Sequence, residues 1–245
     1  MLELSHVNKK FKNFVINDIS FQVPAGYITG LVGKNGAGKS SLIRLILDVL
    51  RKDSGSISLD GIDSVKEGTL FRDQVGFVLE SADFFIQGRS AEENGRILGN
   101  LYSNWDQELF LSYMEEFEMT RADQKGRRIA WLSTGQYMRF QLAFALAHSP
   151  RLLLLDEPTA NLDPVFRMKF LEKLQTAIEK EELAVLFATH ITTDLDKIGD
   201  YITVMDQGKI LLSESKEELF DRYQTNHISE VIKHSSGQKL QEGIL

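Results

Sequence analysis

Residues 2–32 alternate apolar and polar positions in short runs, broken by Val23-Pro24-Ala25-Gly26 before Tyr27 to Val32, and so predict strands. From Lys39 to Leu50 the rhythm changes. Leu42, Ile43, Leu45, Ile46, Leu47 and Leu50 fall at helical spacing. Asp53-Ser54-Gly55 and Asp60-Gly61 bracket another short strand, and Val75 to Leu79 is an apolar run of strand length. Residues 88–125 turn helical without a buried-strand run, which predicts an inserted helical subdomain over residues 88–150. Strands resume at Leu152 to Leu155, Ala184 to Ala188 and Tyr201 to Met205, with helical stretches between them, the alternation of a parallel α/β sheet. Gln207-Gly208-Lys209 reads as a hairpin turn before Ile210 to Leu212, and the residues from Tyr223 onward are polar. The expectation is a single domain over residues 1–222 with a short polar tail over residues 223–245.

Composition narrows the classes without selecting one. A hydrophobic content of 42% in 245 residues suffices for a core, so disorder is not expected. The balance of 28 basic against 35 acidic residues gives −7, which argues against a protein that coats nucleic acid or anionic lipid. Absence of cysteine excludes disulfides and thiolate metal sites within the chain. No apolar run approaches the ~20 residues that cross a bilayer, so membrane contact is expected only through a partner.

Gly33-Lys34-Asn35-Gly36-Ala37-Gly38-Lys39-Ser40 fits G-x-x-x-x-G-K-[ST] between a predicted strand and a predicted helix. Glycines let successive N–H groups curl around an anion, and the helix N-terminus adds partial positive charge. Lys39 is then expected to reach the β- and γ-phosphates of a nucleotide, with the Ser40 hydroxyl on Mg²⁺. Asn35, Gly36, Ala37, Gly38 and Ser41 complete this expected nucleotide site. Leu152 to Leu155 followed by Asp156-Glu157 delivers two carboxylates at the carboxyl end of a buried strand, where ligands bind in open α/β sheets. Asp156 is expected to hold Mg²⁺ and Glu157 to polarise the water that attacks the γ-phosphate.

Leu132-Ser133-Thr134-Gly135-Gln136 resembles the LSGGQ signature of ATP-binding cassette (ABC) proteins, and it stands shortly before the acidic strand, as it does there. Asn161-Leu162-Asp163 resembles their D-loop, His190 their switch histidine and Phe11 the aromatic that stacks on adenine. The resemblance covers roughly residues 1–215 in the family's order. It implies an α/β fold: a P-loop NTPase core with a mixed sheet, an N-terminal antiparallel β subdomain and an inserted helical subdomain. It also implies an ATPase in which two cassettes pack head to tail, each ATP held by the loop of one chain and by Ser133, Gly135 and Gln136 of the other. His190 would then contact the γ-phosphate and orient Glu157, and Asp163 would carry contacts across to the second copy or related cassette. A separate transmembrane permease is the implied partner, placing the chain at the cytoplasmic face of the cell membrane.

Two positions depart from the family pattern. Glu80 stands where glutamine is usual after the Val75 to Leu79 strand; it keeps metal-ligand oxygens, loses an N–H donor, and is expected as a further Mg²⁺ ligand. Thr134 replaces the first glycine of the signature, at a first helical position that needs no positive φ. Ser133 with Gln136 also forms a capping-box pattern for that helix. The region around Trp105 to Phe117 and Glu80 look like ATP-binding subunits of bacterial ABC-2-type exporters, and a permease helix is expected to dock near Ser81 to Ser90. The alternatives are a soluble ABC ATPase not coupled to transport, and a nucleotide-responsive module with little turnover.

Overall fold

In the computed structural model, which describes residues 1–79, 84–160, 162–181 and 183–242, the N-terminal alternation forms an antiparallel sheet. β1 (Leu2–Lys10) pairs with β2 (Val15–Val23) and, across its other edge, with β4 (Ser54–Leu59). Between them in sequence come β3 (Ile28–Val32), buried at every position, and α1 (Lys39–Ile46). β5 (Ile62–Asp63) completes the order β2-β1-β4-β5. α1 is shorter than its apolar spacing predicts. Asp48 takes a left-handed φ of 56°, and the N–H groups of Asp48 and Val49 bond back to Leu45 and Arg44. That pair of bonds is the 5→2 and 6→1 pattern that ends a helix, so Leu50 is packed beyond the helix rather than within it.

After α2 (Gly68–Asp73) the chain enters β6 (Val75–Val78), the edge of the second sheet. α3 (Ala91–Leu98), α4 (Gln107–Glu116) and α5 (Thr134–Leu146) follow before β7 (Leu152–Asp156). β6 and β7 are parallel neighbours from Val75↔Leu152 to Val78↔Leu155, so this helical insert is an excursion between two adjacent strands. Its helices start on side-chain caps, with a Ser90/Glu93 capping box on α3 and Asp106 accepting from Glu108 and Leu109 on α4.

The chain continues through α6 (Pro164–Glu181), β8 (Ala184–Thr189), α7 (Thr192–Ile198), β9 (Tyr201–Asp206) and β10 (Lys209–Ser215). The order is β10-β9-β3-β8-β7-β6, parallel except for the β9–β10 hairpin, hence a mixed sheet. β3, β7 and β8 are buried at every position because both faces are covered, and β7 and β8 are apolar up to their last residue. Alternation survives in what each side chain meets. Leu152, Leu154 and Leu186 join the core shared with α1 and the antiparallel sheet, whereas Leu153, Leu155 and Phe187 join the core shared with α5 and α6.

Residues 216–242 carry two packed helices rather than a solvated tail. α8 (Lys216–Tyr223) and α9 (Ile228–Glu242) bury Leu219, Ile228 and Val231 completely, and the Ile228 N–H donates to Asp196 of α7 at 2.8 Å. Ile228, Val231 and Ile232 form a narrow apolar stripe at helical spacing, which the polar composition around it conceals.

Candidate functional site

β3 delivers the glycine-rich loop from the middle of the sheet. A Cβ at Gly33 would lie 2.3 Å from the Met205 carbonyl oxygen, so only glycine lets β9 pass this close. Gly36 and Gly38 have φ of 83° and 110°, the left-handed region closed to most L-residues, and these turns bend the chain into α1. Gly38 caps that helix without any side-chain acceptor, so its first-turn N–H groups carry no side-chain cap. Around them lies an open pocket of about 310 Å³ lined by Asn35 to Ser41, Phe14 and Glu157.

The charged groups of this pocket already touch one another. Lys39 is 6% exposed; its Nζ donates to the Gly33 carbonyl at 2.8 Å and lies 3.4 Å from Glu157 Oε1. Ser40 Oγ donates to Asp156 Oδ1 at 3.0 Å, bringing together the hydroxyl and carboxylate expected to share a cation. Glu157 leaves the end of β7 with a φ of 51°, a conformation costly for a residue bearing Cβ, and its N–H is held by the Ala188 carbonyl of β8. Glu157 Oε2 accepts from Thr189 Oγ1 at 3.0 Å and from the His190 N–H at 3.3 Å, and sits 2.9 Å from His190 Nδ1. The carboxylate is thus aimed between a phosphate-type lysine and a half-exposed imidazole.

The other predicted residues fall elsewhere. Ser133 and Gln136 form a reciprocal capping box at the start of α5, with Gln136 N–H to Ser133 Oγ at 3.2 Å and Ser133 N–H to Gln136 Oε1 at 2.9 Å. Ser133 and Thr134 are exposed there and Gly135 is half-buried, on the helical insert rather than in the pocket lining. Asp163 caps α6 through the Phe166 N–H at 3.0 Å and lies 3.9 Å from Arg139 of α5. Glu80 and Asn161 lie outside the described residues, as do Ser81 to Asp83 of the expected docking segment.

Phe14 was missed from the sequence. Its ring edge lies 2.9 Å from where a Gly38 Cβ would stand, which puts it against the loop, and the Phe11 ring packs on it with centroids 6.0 Å apart. Nothing in the spacing separates two aromatics three residues apart; the turn in which the Phe11 N–H donates to the Phe14 carbonyl does.

The lysine loop and the paired carboxylates both fall inside a stretch that a family model matches. The model of the ABC transporter family matches residues 16–160. The chain belongs to the ABC transporter family. Among its relatives, the uncharacterised ABC transporter ATP-binding protein YdbJ of Bacillus subtilis (strain 168) is 31% identical over 211 residues, covering 86% of this chain and 68% of that one. Nod factor export ATP-binding protein I of Rhizobium leguminosarum bv. viciae is 32% identical over 210 residues, covering 85% and 67%. The solved dimeric, post-hydrolysis cassette MJ0796 with ADP and Pi shares the fold at a TM-score of 0.75 and 24% identity, covering 88% of this chain and 98% of that one. This ABC protein is accordingly an ATP-binding ATPase, and its relatives include the ATP-binding protein of a Nod factor exporter. No helix among its described residues is long and apolar enough to cross a membrane.

Proposed function

We propose that this cassette hydrolyses ATP with Glu157 as the base that polarises water, and that it energises a transporter, of the export type, assembled on a separate membrane-spanning permease. The observation that carries the catalytic part is the Lys39–Glu157–His190 arrangement. One carboxylate stands 3.4 Å from the phosphate-loop lysine and 2.9 Å from an imidazole that can shift to a γ-phosphate. ATP entering the loop takes Lys39 from the Gly33 carbonyl, and the carboxylate freed from that ion pair is left to accept a proton from water. Ser40 and Asp156 are hard oxygen donors 3.0 Å apart, a set that suits Mg²⁺ together with phosphate oxygens. When bound, that cation supplies charge neutralisation at the β- and γ-phosphates. Phe11 and Phe14 supply aromatic surface for the base on the loop's N-terminal side.

The place of the signature supports head-to-tail dimerisation. Exposed Ser133 and half-buried Gly135 start α5, away from the pocket of their own chain, so this helix start is placed to meet the γ-phosphate held by a second copy or a related cassette. The dimeric arrangement described for MJ0796 supports this reading. The export direction is supported by the Nod factor relative. For the permease, an apolar groove of about 340 Å³ runs between the end of α1, β6 and the helical insert, lined among others by Leu47, Val49, Phe77, Phe84, Leu101 and Tyr102. Val49, Phe84 and Leu101 are exposed in it, a surface suited to an apolar helix from a membrane subunit at the cytoplasmic face.

The test is Glu157→Gln. The variant should bind MgATP with near-normal affinity, lose on the order of a hundredfold or more of its turnover, and elute as a dimer with ATP on size-exclusion chromatography. Turnover at the unsubstituted rate would remove Glu157 from the base role.

A further inference from the structure

Two loops meet at the site, one after β7 and one after β8, and they are tied together twice. The first tie is the contact of Glu157 with Thr189 and His190. The second lies one helical turn further on. Asp194, in the first turn of α7, is 2% exposed; its Oδ2 accepts from Thr159 Oγ1 at 2.6 Å, and its Oδ1 accepts from Arg167 Nε at 2.7 Å and lies 2.6 Å from Arg167 Nη2. Thr159 itself is 1% exposed and stands two residues after Glu157. A carboxylate this deeply buried stays in place only because each oxygen is satisfied.

The partners of Asp194 lie on the elements that border the carboxylate side of the site. Thr159 belongs to the turn that leaves β7, where the Ala160 N–H returns to the Glu157 carbonyl and the Leu162 N–H to the Thr159 carbonyl. Arg167 stands in α6, its N–H bonded to the carbonyl of Asp163. Asp194 is four residues after His190, and α7 is itself pinned to β3, because Leu195 Cδ1 packs where a Gly30 Cβ would stand, at 2.4 Å. The first tie includes Glu157, which lines the pocket, so whatever binds there bears on it directly. The second contains no group that lines the pocket, so a bound nucleotide does not compete with it.

We propose that Asp194 is a positioning residue for hydrolysis: with Thr159 and Arg167 it holds the start of α7 against the loop after β7, so that His190, Glu157 and Asp163 keep their register when nucleotide binds. The inference rests on the ATPase reading of the site given above. A small displacement of a reacting group is enough for a large loss of rate, whereas nucleotide affinity comes from the loop around Lys39, which the clamp does not touch.

The experiment compares steady-state MgATP hydrolysis and nucleotide affinity for Thr159→Val, Asp194→Asn and Arg167→Leu at a temperature where circular dichroism shows each variant folded. Thr159→Val keeps the side-chain shape and removes only the hydroxyl, so it reports even if the other two fail to fold. The expected result is a kcat lower by about tenfold to a hundredfold, with KM and ATP affinity within about twofold. Thr159→Ser, which restores the donor, should recover most of the lost kcat. Folded Thr159→Val with unchanged kcat, an equal loss of affinity and rate, or failure of Thr159→Ser to recover would each overturn the proposal. Activity in the unsubstituted protein that survives Glu157→Gln would instead overturn the reading of the site, leaving a distinct signature.

Discussion

His148, just beyond the end of α5, offers a stability prediction whose size can be worked from its surroundings. It is 1% exposed and stacks on Tyr102 with ring centroids 4.0 Å apart. Burial pushes the imidazole from 6.5 down to about 4, against the opposing pull of Asp73, and the same dry junction pushes the Tyr102 hydroxyl up to about 12. Folding therefore favours neutral His148, while the unfolded chain takes up its proton near 6.5. Stability from this group is fully present above the unfolded value and is lost as pH falls from 6.5 toward about 4. The gap between those values, at about 1.4 kcal/mol per pH unit, makes a total of roughly 3 kcal/mol, an order-of-magnitude figure.

His148→Phe keeps a ring on Tyr102 and removes the titration, while every other acid and base stays as it was. Urea unfolding of both proteins at about pH 7.5, 5.5 and 4.5 isolates the difference. The variant should gain on the unsubstituted protein by roughly 1 kcal/mol at the middle pH and about 2.5 kcal/mol at the lowest. A difference that stays flat across this range would refute the reasoning, because it would mean that the buried ring ionises as readily as it does in water.

Three further outcomes are expected. Lys39→Ala should weaken ATP binding itself, by about tenfold or more in calorimetry, since Lys39 is the buried cation of the loop; unchanged affinity would contradict the loop assignment. Ser40→Ala, which removes the hydroxyl bonded to Asp156, should shift the Mg²⁺ dependence of hydrolysis to higher concentration, and an identical titration curve would exclude Ser40 as a ligand. Val231→Asp places a carboxylate at a fully buried position where α9 packs, and should lower the denaturation midpoint by the equivalent of about 3 kcal/mol; a neutral effect would show α9 detached in solution.

Local order along the chain determined a good deal. Lys39 and Ser40 had to open a helix because glycines precede them and apolar residues at helical spacing follow, and Asp156-Glu157 had to emerge at a strand end because four leucines run into them. Strand periodicity and the insert between β6 and β7 were readable for the same reason: both are properties of neighbours in sequence. What the sequence could not contain were distances between segments far apart in the chain. The meeting of Glu157 with His190, the choice of Phe14 over Phe11 beside the loop, the Thr159–Asp194–Arg167 clamp and the docking of α9 on Asp196 all depend on how β3, β7 and β8 stack their ends side by side. Those contacts are made by parallel register and helix packing, whose energies are shared among many residues, so no single spacing along the chain records them.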